Sequence, residues 1–67
     1  MKIIQTKTEV LESFAKTIPN ADKMLVDWGR DSLLIQIGQY SKEYSIKKIL
    51  STWSSAMAKR GIEVEYK

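Results

Sequence analysis

Residues 38–48, Gly38-Gln39-Tyr40-Ser41-Lys42-Glu43-Tyr44-Ser45-Ile46-Lys47-Lys48 (GQYSKEYSIKK), decide how the rest of the chain is assembled. The segment interleaves aromatic and basic residues, as surfaces for single-stranded nucleic acid do. If it holds a strand, the chain runs β-α-β-β-β-α-β. If it is only a connection, the order becomes a split βαβ, or ferredoxin-like, arrangement. The reading adopted is a short strand over roughly Glu43–Ser45, with Ser45 as the N-cap of the helix that follows.

Downstream, Ile46, Ile49, Leu50, Trp53, Ala56 and Met57 fall within an arc of about 120° at 100° per residue, the apolar stripe of a helix lying on a sheet. The spacing predicts a helix over about 46–60. Lys59 and Arg60 suit its C-terminal dipole, and Gly61 suits the C′ position. Ile62–Tyr66 alternates as a half-buried strand. Upstream, Lys2-Ile3-Ile4-Gln5 reads as a strand. Thr6 and Glu9 read as a capping box opening a helix over about 7–18, which Pro19 ends. Residues 23–28 and 33–37 read as two strands joined by the Gly29-Arg30-Asp31-Ser32 turn, a hairpin.

One domain over residues 1–67 follows: α+β, a small two-layer sandwich with both helices on one face of a mainly antiparallel sheet. A chain this short buries only about 60% of its unfolded surface, so its core must be simple. The sequence contains no cysteine and no histidine. Disulfides, thiolate metal sites and the usual general base are therefore missing from the menu. The three glycines are too dispersed for a phosphate-binding loop. Asp22, Asp27 and Asp31 lie close in sequence, but turns favour aspartate for backbone reasons. The expectation is no enzyme, with no catalytic residue, cofactor or metal. Apolar runs too short for a bilayer and the lack of a signal-peptide pattern imply a cytoplasmic chain without membrane association.

Charge is unevenly placed. Residues 1–31 balance five cations with five acids, whereas residues 32–67 carry six cations against three acids, so the whole net charge of +3 lies in the second half. Two functional expectations result. The leading one is a small regulatory or inhibitory protein that binds a protein partner, with Trp28 and Arg30 beside a turn as contact residues. A homodimer through an edge strand belongs to the same class. The alternative is weak, salt-sensitive nucleic-acid binding by the acid-free face of the second helix. There Lys47, Lys48, Ser51, Ser55 and Lys59 would meet phosphates, with Tyr40, Lys42 and Tyr44 nearby for stacking.

Overall fold

The computed structural model describes all residues 1–67 and contains two helices and five strands. They are β1 (Lys2–Gln5), α1 (Lys7–Lys16), β2 (Ala21–Asp27), β3 (Ser32–Ile37), β4 (Tyr40–Ser45), α2 (Ile46–Ala58) and β5 (Glu63–Tyr66), with a 3-10 turn at Trp28–Arg30 between β2 and β3. The α+β order expected from the sequence is present. Its strands divide into two sheets: an antiparallel β2-β3-β4 meander and a parallel β1-β5 pair.

The fourth strand exists and is twice the length read from the residues, so the split βαβ order does not arise. It is long because Gly38 turns at φ +59° and returns the chain directly against β3, pairing Ile37 with Tyr40 and Ser32 with Ser45. Asp22 fixes that turn by accepting from the Gly38 N–H at 2.9 Å. The ladder to β3 supplies what the polar sequence does not advertise, since backbone pairing needs no apolar side chains.

Alternation in β3 sends Leu33 and Ile35 to one face, where both helices cover them. Val10 and Leu11 of α1, with Ile46, Ile49 and Leu50 of α2, complete a single cluster of seven buried apolar residues. Burying each such side chain is worth about 1.5–3 kcal/mol. The opposite face of the meander, with Leu25 beside Leu34, stays open.

Thr6 caps α1, its hydroxyl accepting from the Glu9 N–H at 3.1 Å, but the return bond of the capping box, from the Thr6 N–H to the Glu9 carboxylate, is not formed. The helix ends at Lys16, two residues early, where Thr17 donates its hydroxyl to the Phe14 carbonyl at 2.6 Å. Helix α2 ends at Ala58 rather than residue 60, and Gly61 takes the expected positive φ, 77°.

The parallel pair docks on α2 by side chains at its C-terminal end. Gln5 accepts from the Trp53 indole N–H at 2.8 Å. Its register partner Tyr66 donates to the Leu50 carbonyl at 2.7 Å, which leaves the Ser54 hydroxyl to donate to the Tyr66 oxygen at 2.8 Å. Across its outer face Lys2 pairs loosely with Glu65 at 3.5 Å.

Candidate functional site

Between α1 and α2 runs an open groove of about 370 Å³. Val10, Ser13, Phe14 and Thr17 form one wall, at the 0, 3, 4 and 7 spacing of a single helical flank. Lys48, Ile49, Thr52, Trp53 and Ala56 form the other, and Tyr44 with Ser45 closes the end at the start of α2. The floor is aromatic and aliphatic. The rim is made of short hydroxyl side chains, Ala56 and one lysine. Because the rim residues other than Lys48 are small, Phe14 and Trp53 are only half-buried beneath them.

Phe14 and Tyr44 meet edge to face, with centroids 4.9 Å apart and planes at 77°, the arrangement that opposes a ring edge to a π face. Lys42 Nζ lies 5.4 Å from the Tyr44 centroid. Tyr44 is thus held between a core ring and a cation, half-buried. Tyr40, four residues away at the far end of β4, is 80% exposed. Tyr44 and Lys48 share the groove, so the aromatic-basic strand and the basic helix meet at that one residue.

Lys47, Lys48, Ser51, Ser55 and Lys59 are all exposed, and none of these lysines is ion-paired. Two of these lysines occupy the first turn of α2, which contains no acid. Cations there oppose the helix dipole. The compensating charge comes from outside the helix: Asp31, in the left-handed region at φ +54°, accepts from the Lys47 N–H at 2.9 Å and from the Ser45 hydroxyl at 2.7 Å. Ser45 Oγ in turn accepts from the Lys48 N–H at 3.3 Å, and the Ile46 N–H donates to the Asp31 carbonyl at 3.3 Å.

Those bonds bind the tip of the β2-β3 hairpin to the start of α2. On that tip Trp28 is 52% exposed and the Arg30 side chain is more open still. Asp27 caps the 3-10 turn by accepting from the Arg30 N–H at 3.2 Å and lies 3.8 Å from the Arg30 Nε. All three aspartates of the region therefore serve turns or a helix end. No group of three or more metal-ligating side chains forms anywhere in the chain, and no helix is long and apolar enough to cross a membrane.

The sequence marked Trp28, Arg30 and the basic helix, and the structure places them at neighbouring corners. It did not mark the groove, whose walls are residues assigned to a core stripe or to a solvated face. The available signal was the placement of small residues, Ser13, Thr17, Thr52 and Ala56, at the margins of two aromatic-bearing stripes. No family model, no curated protein and no solved structure matches this chain.

Proposed function

We propose that the protein is a small non-enzymatic regulator or inhibitor that acts by binding a protein partner, and that the α1-α2 groove is where the partner docks. The supporting observation is an open apolar channel with an aromatic floor and no acidic lining residue. A groove between helices is the shape that receives the apolar face of an amphipathic segment. Lys48 at its rim selects a segment with an acidic residue beside that face, because an ion pair at the edge sets orientation and steers encounter. Trp28 and Arg30, at the corner next to the Lys48 end, extend the contact with residue types that dominate binding energy elsewhere.

Ala56→Glu tests this directly. Ala56 is exposed on the groove wall, so a carboxylate there obstructs the channel and repels an acidic segment while the core is untouched. A partner captured by the wild-type protein and identified by mass spectrometry should bind Ala56→Glu at least about tenfold more weakly, a difference of 1.4 kcal/mol. Equal binding by the variant, or no partner captured at all, removes the reading.

The bare lysines of α2 support a second reading, weak nucleic-acid binding through Lys47, Lys48, Ser51, Ser55 and Lys59, with Lys42 and the exposed Tyr40 alongside. Four lysine-phosphate contacts on a single strand give a slope of about −3 for log affinity against log salt. Lys47→Glu combined with Lys48→Glu should abolish a shift of labelled single-stranded DNA. Retention that ignores salt or survives this double change excludes it.

A further inference from the structure

We propose that the protein is a twofold homodimer in which β2 pairs antiparallel with β2 of a second copy, centred on Leu25, to make one continuous six-stranded sheet. This goes beyond the docking groove, since no β2 residue lines that groove and the two surfaces can be tested separately.

The monomer is too open for its mass. A compact chain of 7.7 kDa exposes about 4,300 Å², yet this one exposes 5113 Å². The excess of about 800 Å² is what one partner buries in a standard interface. Its radius of gyration is 12.6 Å, against about 11 Å for a compact domain of this length. Only eight residues are buried.

Four strands have a free edge, and β2 presents the longest apolar one. Proteins blunt edges with charge, brevity or proline. β4 carries Lys42 and Glu43 at its centre and no aliphatic residue. β1 exposes Ile4, but β1 and β5 have only four residues each and hold Lys2, Glu63 and Glu65 outward. β2 has seven residues, no proline and Met24-Leu25-Val26 at its centre, with Leu25 63% exposed. Every backbone hydrogen bond of this strand goes to β3, so its outward N–H and C=O groups have no partner within the chain.

The residues themselves choose the register. Antiparallel pairing about Leu25 sets Lys23 opposite Asp27 of the second copy, and Asp27 opposite its Lys23. On the helix-facing side it sets Met24 against Val26 twice. Lys23 has no ion partner of its own, and Asp27 has only the long contact to Arg30. The irregularity between Ala21 and Lys23 lies outside this five-residue match. A twofold axis perpendicular to the sheet keeps the helices of both copies on one side, so the helix-covered faces join as one.

Sedimentation and light scattering measure the outcome. The wild-type chain should run at twice 7.7 kDa. Lys23→Glu alone and Asp27→Lys alone each place like charges opposite one another at two symmetric positions, and each should raise the dissociation constant about tenfold. An equimolar mixture of the two variants restores two opposite-charge pairs and should dimerise as the wild type does. Since Asp27 also caps the 3-10 turn, Leu25→Lys provides a second disruption at an exposed side chain, with circular dichroism confirming the fold. Ala56→Glu should leave the mass unchanged. A wild-type chain that stays monomeric at millimolar concentration overturns the proposal, as does a dimer indifferent to Lys23→Glu and Leu25→Lys.

Discussion

Asp31 shows how much one side chain can organise. Its backbone turns the chain out of the 3-10 segment in the left-handed region, which aspartate and asparagine tolerate better than most residues. Its carboxylate then supplies the negative end that the first turn of α2 lacks. Asp31→Ala removes two hydrogen bonds and adds left-handed strain, so it should cost about 2 kcal/mol, while Asp31→Asn should cost about half as much. Urea denaturation of the two variants checks the order, and equal stability of Ala and wild type would remove this account. A turn role at Asp31 was legible from its residue type, but which helix it served was not. That contact spans fourteen positions to Ser45 and sixteen to Lys47, and a one-dimensional capping rule looks only three residues ahead.

At the scale of elements, the docking of the parallel pair rests on few bonds. Gln5 to Trp53 and Tyr66 to Leu50 and Ser54 are the polar ties of β1-β5 to α2. Tyr66→Phe leaves the Leu50 carbonyl and the Ser54 hydroxyl without this partner, for a loss of about 1–2 kcal/mol. The loss should be local: amide exchange in β1 and β5 should quicken more than in the β2-β3-β4 meander, because the meander keeps its own ladder. Uniform acceleration across both sheets would show instead that the molecule opens as one unit. Helices α1 and α2 were legible from their 3.6-residue stripes, whereas β4 was only half legible. Tyr40, Ser41 and Lys42 carry no strand pattern, and they are extended because Gly38 returns the chain onto β3.

For the whole molecule, the thin shape, 41 × 26 × 15 Å, leaves little interior to share among 67 residues. A folded state stabilised by pairing of β2 with its copy has a melting temperature that rises with protein concentration, since association favours only the folded chain. Thermal scans over a wide concentration range should show that rise for the wild type and a much smaller one for Lys23→Glu. A melting temperature independent of concentration would mean that this monomer is stable alone despite its open edge. The candidate groove belongs to the same scale, because it exists only where two stripes 31 or more residues apart along the chain fail to close over Phe14 and Trp53.

The residues alone determined the α+β class, both helical stripes, the Thr6 and Ser45 caps and the positive φ at Gly61, because each depends on side-chain periodicity or on backbone preferences within a turn of chain. They also determined that no cysteine or histidine chemistry is available. Tertiary structure decided the rest: the division into two sheets, the length of β4, the partners of Asp22 and Asp31, and the bare groove between the helices. Those features depend on which distant segments compete for the same face, and local sequence carries no record of that competition.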